Sequence, residues 1–330
     1  MNRARYLGRR VGAALLTVWV AVTFNFLLLR LMPGNPTNRL ARVPNGSEAV
    51  RKELVKQFGL DRPLWEQYWA YLRELLHGNF GISFTDQQPV SEHLLLALRN
   101  TLPMVALGTV VAIVLGVATG LLAAWWRGHP IEKLITFVSM FFYSLPTQWL
   151  GLMLVLIVSV GWGLLPSSGL HDPGLLAAKE IGLPVSDGAM LRDRLVHMLL
   201  PSATLALVLF GEYTLLVRSS LLETFGEDYV LTARAKGLRP RTTLLRHALG
   251  NAMLPVVTLV ALSFGFIAGG SVLIETVFSW PGIGLLTYEA IQARDYPMIQ
   301  GTFLVITFSV IFFNLLADLL YARLDPRISS

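Results

Sequence analysis

The chain has 330 residues, of which 54% are hydrophobic and only 15% charged. Soluble domains carry roughly 25% charged residues, so a water-soluble domain is excluded and the chain is an integral membrane protein. Its net charge of +6 fits Lys and Arg held in cytoplasmic loops and beside anionic headgroups rather than nucleic-acid binding, and the absence of cysteine excludes a disulfide framework, thiolate metal sites and cysteine nucleophiles.

The first ten residues carry Arg3, Arg5, Arg9 and Arg10 and lead into an apolar run over 11–32. A signal peptide begins in the same way, but its apolar core spans only about 7–15 residues and ends in a small-residue cleavage site. This run is longer and ends in LMPGNP, so it reads as the first transmembrane helix. Residues 33–100 form a long polar insert. Within it Ser47 can cap a helix to about Phe58, and Pro63 can open another, with Leu64, Tyr68, Leu72 and Leu75 at helical spacing. Two or three helices lying on the outer membrane surface are expected, their aromatic residues forming a packed face rather than a ligand platform.

Five more apolar stretches follow, over 102–126, 134–160, 199–217, 252–274 and 298–321. Each is near the roughly 20 residues needed to cross the hydrocarbon. The first holds GVATG (116–120) and the fourth GFIAG (265–269), small-xxx-small spacings that permit close helix contact. Pro146, in SLPTQW, interrupts the stretch over 134–160. It is a kink lining a pathway or a plain bend, and both readings stand. The expected fold is all-α with six transmembrane helices: one membrane domain over 1–330, an extracytoplasmic insert over 33–100 and a core over 101–322.

Orientation follows from Lys and Arg in the flanks. With the N-terminus inside, the inner segments hold fourteen such residues and the two short outer loops four. Both termini, and the polar stretch over 219–250, are therefore expected in the cytoplasm.

No GxxxxGK[ST] phosphate loop, HExxH or GxSxG occurs, so neither ATP binding by a phosphate loop nor hydrolysis by these devices is expected, and no cofactor or metal is implied. Glu212 stands out as a carboxylate inside LALVLFGEYTLLVR. Such charges are expensive in a membrane and face a cavity or a partner. As a pathway group it would meet a substrate amine or hold a proton; as a structural group it would pair with a basic residue or backbone inside the bundle. The structural reading is the one expected. Glu275 and Asp318, near span ends, are expected at the interface.

The stretch YVLTARAKGLRPRTTLLRHALGNAMLP (229–255) is a polar island between spans. Residues 232–236 favour helix, Gly237 can end it in a left-handed conformation, and Pro240 suits a first helical turn. A second helix over about 241–250 would place Leu244, Leu245, Ala248 and Leu249 on one face. A mere connection needs few residues, so this reads as a helix–Gly–helix knob shaped for a partner.

ARAKGL at 233–238, with Leu254 and Pro255 opening the next span, resembles the "EAA" cytoplasmic loop of permease subunits of ATP-binding-cassette importers, most closely the peptide-importer branch. The position of the glutamate that names the loop is Leu231 here, so the likeness carries the Ala-rich helix and Gly237, not a charged contact. LMPGNP (31–36) and GNFGISF (78–84), with Asn35 and Asn79 in place of aspartate, are similar to signatures of that branch, as are ETVFSWPGIGLLTYEAIQARDYPMIQG (275–301) and ADLLYARLDPRI (317–328). The resemblance implies a non-enzymatic subunit of a dipeptide or oligopeptide importer in a prokaryotic cytoplasmic membrane. It implies a second related permease, two cytoplasmic ATPases and an extracytoplasmic substrate-binding protein as partners. It also implies that Thr232, Ala233, Ala235, Gly237, Leu238, Leu254 and Pro255 form the ATPase-coupling loop. Nickel, glutathione and oligosaccharides are alternative cargoes within the family. An ATP-independent secondary transporter or channel is the competing class, although neither inverted repeats nor several intramembrane charges are visible.

Overall fold

The computed structural model describes residues 3–31, 62–267 and 272–324, and every regular element among them is helical. In chain order, α1 (Arg3–Leu31) is followed by α2 (Leu64–Leu76) and α3 (Val90–Trp125). Next come α4 (Pro130–Ser144) and α5 (Thr147–Leu154), the latter running into a π-helical segment, Val155–Gly161. A short α6 (Pro173–Glu180) leads to the long α7 (Asp187–Thr224). Then follow α8 (Asp228–Ala235), α9 (Pro240–Ala252), α10 (Leu254–Ile267), α11 (Val272–Val277), α12 (Ile283–Ala293) and α13 (Tyr296–Leu324). Four of these, α1, α3, α7 and α13, are long and apolar enough to cross a membrane, and two bent pairs bring the number to six if each pair is one span.

The centre of the bundle is α3 packed on α7. Gly108, Gly116 and Gly120 of α3 lie against Ser202, Tyr213 and Val217 of α7 in rising order, so the two helices run parallel. A Cβ at Gly120 would sit 2.7 Å from the Val217 Cβ, a clash that explains the glycine spacing in GVATG. The Ser202 hydroxyl donates to the Met104 carbonyl at 2.9 Å, and Thr119 and Thr214 share a hydrogen bond of 2.9 Å. The second small-residue spacing, 265–269, lies outside the described side chains.

Both helices begin earlier than the apolar runs suggest. α3 starts at Val90, not near 102, because Val90, Leu94 and Ala97 pack with Ile283, Ala290 and Met298. Pro103 inside α3 has no N–H for the Arg99 carbonyl; the Arg194 guanidinium of α7 donates to that carbonyl at 2.9 Å and so satisfies the break. α7 starts at Asp187, where the Ser186 hydroxyl caps the Ala189 amide at 3.2 Å.

The start of α13 and the far end of α1 meet at one end of the bundle, here termed the crown, where Asn25 donates to the Gln300 carbonyl at 3.1 Å. α2 joins them: Phe26 of α1 stacks on Tyr71 and meets Tyr68 edge-on, at centroid distances of 5.5 and 5.3 Å. Of the aromatics expected in a packed face of the insert, Tyr68 and Tyr71 pack on α1, whereas Trp65 and Trp69, like Leu64, are exposed. The helix expected over 47–58 and Asn35 lie outside the described residues. Asn79 accepts the Gly81 amide at 3.0 Å, and the following turn is fastened by Asp295, which accepts the Ser83 hydroxyl at 2.6 Å and the Thr85 amide at 3.1 Å. Two of the four signature stretches, 78–84 and 275–301, thus meet in one place.

Glu275, expected near the interface, is not a solvent-facing carboxylate. It is fully buried, accepting the Thr101 hydroxyl at 2.8 Å and the Leu285 amide at 3.0 Å. The Thr101 oxygen in turn accepts the Ile283 amide at 2.8 Å, so the SWPGIG turn is sewn to α3. The side chain of Asp318 lies outside the described residues.

Candidate coupling surface

Because α3 starts at the crown and α7 runs parallel to it, both helices end at the opposite end, the base, and the polar island follows there. Asp228 occupies the first turn of α8, where its charge complements the helix dipole. At the other end the Gly237 amide donates to the Arg234 carbonyl at 2.9 Å and the Leu238 amide to the Ala233 carbonyl at 3.4 Å. That pair of bonds is a Schellman closure, and it needs the left-handed backbone that Gly237 adopts at φ +75°. Nothing lies within 4 Å of where a Cβ would stand at Gly237, so the constraint there is conformational and not steric. Arg239 and Pro240 then open α9, with Pro240 in the first turn.

α9 departs from the expected helix. Its middle, Thr243–Ala248, is π-helical, and the wider turn rotates the inward face. Thr243, Leu244, Ala248 and Ala252 are buried, while Leu245, expected on that face, is 51% exposed. The buried side chains of this hairpin join the transmembrane core: Val230, Leu244, Ala248 and Ala252 form one cluster with Leu221 of α7 and Ala124 of α3. The knob is therefore an extension of the bundle, not a tethered loop.

The residues expected in the coupling loop divide accordingly. Ala233 is turned inward, only 5% exposed, so its small size serves the hairpin's own packing. Thr232, Ala235, Gly237 and Leu238 are exposed, Thr232 using its hydroxyl on the Asp228 carbonyl at 2.8 Å. Leu254 is half-buried and Pro255 exposed, both in the first turn of α10. Tyr229, Leu231, Leu238 and Leu245 leave four large apolar side chains on the outside of the hairpin. Sequence reasoning missed two fastenings: the Arg234 guanidinium lies 5.1 Å over the Phe225 ring, and Asn251 donates to the Tyr229 hydroxyl at 2.7 Å. Neither carries a local sequence signal, because the partners lie nine and 22 positions apart and on different helices.

The other two candidates lie within the membrane-spanning part. Pro146 does break its span: α4 and the segment Thr147–Gly161 meet at 102°. Glu212 has neither a hydrogen bond nor an ion pair among the described residues, so the expected pairing is absent. The nearest basic residue along α7, Arg218, is engaged by Glu132 of α4. Among the described residues no group of three His, Asp or Glu side chains is arranged to hold a metal ion.

Comparison with known proteins gives this arrangement a context. Residues 116–330 match the family described as "Binding-protein-dependent transport system inner membrane component", and residues 3–105 match its N-terminal counterpart. The dipeptide transport system permease protein DppB of Escherichia coli (strain K12) is 36% identical over 334 residues, covering 98% of each chain. The glutathione transport system permease protein GsiC of the same strain is 34% identical over 323 residues, and GsiC of Shigella dysenteriae matches equally, each again with 98% of both chains covered.

Proposed function

Since the chain belongs to the family of inner membrane components of binding-protein-dependent transport systems, we propose that it moves di- or oligopeptides, or a related small solute, through a passage formed with a second permease. The base faces the cytoplasm, where two ATPase subunits dock on the α8–α9 hairpin, and the crown receives the substrate-binding protein. The observation that carries this reading is the construction of the hairpin: exposed Tyr229, Leu231, Leu238 and Leu245 on a body whose underside shares a core with α3 and α7. Exposed apolar side chains on a rigid mount suit a partner surface. A push or pull on them is delivered to the central helix pair as a rigid-body movement. Peptide cargo is favoured because both the dipeptide and the glutathione permeases are similar along the whole chain.

The test is purification in mild detergent with the neighbouring subunits co-expressed. ATPases, a second permease and binding-protein-stimulated ATP hydrolysis are expected in one assembly. A chain that moves solute with no ATPase bound is an ATP-independent transporter, and the coupling role then falls.

A further inference from the structure

The importer reading leaves one intramembrane charge unused. We propose that Glu212 is a transient binding group for the ammonium of the transported solute, on the side of α7 that lines the passage. The proposal rests on that reading.

The packing of α7 shows which side is open. α3 touches Phe210, Tyr213, Thr214 and Val217; α4 touches Gly211 and holds Arg218; the Tyr213 hydroxyl reaches Ser263 of α10 at 2.8 Å. At about 100° per residue, Glu212 points about 100° or more away from each of these three contact directions. Its neighbours toward one flank, Val208, Leu215 and Ser219, are not buried either, whereas Leu205, Leu209 and Leu216 on the other flank pack partly against the core. Around Glu212, then, α7 is covered by α3, α4 and α10, with α5 nearby at Thr204, and Glu212 projects from its remaining side.

A carboxylate projecting from the middle of a span is not left against lipid. Arg218, which a structural role would recruit, is spent on Glu132, whose carboxylate its Nε meets at 2.9 Å. The open side is therefore turned to the passage or to the second permease rather than to lipid. The solutes named for the similar permeases, a dipeptide and glutathione, share one cationic feature, a free ammonium group. One unclamped carboxylate suits such a group in transit, because a passage must bind weakly enough to release. The break at Pro146 falls at the same level. Tyr143, just before it, lies against Gly211, and Gly151, just after it, lies near Thr204, so α4 and α5 part from each other beside this stretch of α7.

The experiment uses the whole assembly in liposomes, with labelled alanyl-alanine as probe and partner subunits free of cysteine. This chain contains none. Glu212→Cys is expected to react with a cationic, membrane-impermeant thiosulfonate. Glu212→Gln is expected to slow uptake roughly tenfold, the size of one charge-assisted hydrogen bond lost. Binding-protein-stimulated ATP hydrolysis and the amount of bound second permease should stay unchanged, and Glu212→Asp should keep most of the uptake. An unreactive cysteine, wild-type uptake by Glu212→Gln, or uptake and hydrolysis falling together would each overturn the proposal. Loss of the second permease in Glu212→Gln would overturn it in favour of a pairing between subunits. Absence of any ATPase from the wild-type assembly would instead overturn the importer reading itself.

Discussion

Arg218 on α7 donates from Nε to the Glu132 carboxylate at 2.9 Å, and Glu132 also accepts the Gly128 amide, so the turn between α3 and α4 is fastened to α7 at the base. The Glu132 side chain is 9% exposed and that of Arg218 29%. Removing one partner of a fully buried pair costs about 3–5 kcal/mol, and the exposure of Arg218 reduces that. Arg218→Ala should cost about 2 kcal/mol, read as a lowered thermal midpoint of the detergent-purified protein. Adding Glu132→Gln should recover part of the loss, because the stranded charge is gone. Additive losses would show that the pair is not coupled.

The division of the hairpin into an inner and an outer surface predicts two different failures. Ala233→Asp buries a charge in the hairpin's own packing and should lower the yield of folded protein. Leu238→Asp and Leu231→Asp alter only exposed positions, so yield should hold while co-purified ATPase is lost. Equal ATPase content in the leucine variants and wild type would remove the hairpin from the docking surface.

Gly237 separates backbone from bulk. A Cβ there meets no neighbour but must adopt φ +75°, at about 1 kcal/mol. Gly237→Ala should therefore destabilise only slightly and keep ATPase binding. Gly237→Val, β-branched and stiffer, should open the Schellman closure and expose the 234–240 backbone to limited proteolysis. Wild-type protease resistance in the valine variant would mean that the closure is not needed.

At the crown, Thr101 both donates to Glu275 and accepts from the Ile283 amide. Thr101→Val keeps the shape and removes both bonds, leaving an amide and a carboxylate short of a partner. A loss of about 1–3 kcal/mol is expected, visible as a lower thermal midpoint, whereas Thr101→Ser should be nearly silent. A valine variant as stable as wild type would show that water replaces the hydroxyl.

The topology can be read directly. Single cysteines at Gln88, Lys179 and Gln292, all exposed near the crown, should label from outside intact cells. Cysteines at Arg9 and Arg241, exposed near the base, should not. Reversal at both base positions would turn the molecule over.

The features legible in the sequence are those whose cause is local. The apolar runs, the break at Pro146 and the left-handed Gly237 follow from residue chemistry within a few positions. The first turns of α3 were hidden because SEHLLLALRN is held as helix by α12 and α13, almost two hundred residues onward in the chain. The burial of Glu275 is illegible for the same reason, since its hydroxyl partner is 174 positions away. Leu245 was placed on the wrong face because a π-helical segment has no 3.6-residue period to read. At Glu212 the sequence showed the charge but not that Arg218 was already taken.

The parallel union of α3 and α7 bears on how the protein is made. Thr119 and Thr214 meet across 95 positions, and α4, α5 and α6 are synthesised between them. At about 5–20 residues per second, α3 waits roughly 5–20 s in the bilayer with its glycine face uncovered. For that interval the groove around Gly108, Gly116 and Gly120 is open to any helix with a small-residue surface, including those of neighbouring nascent chains. Correct assembly is thus a race that α7 must win, and a slower stretch of translation between the two helices would raise the share of mispaired product.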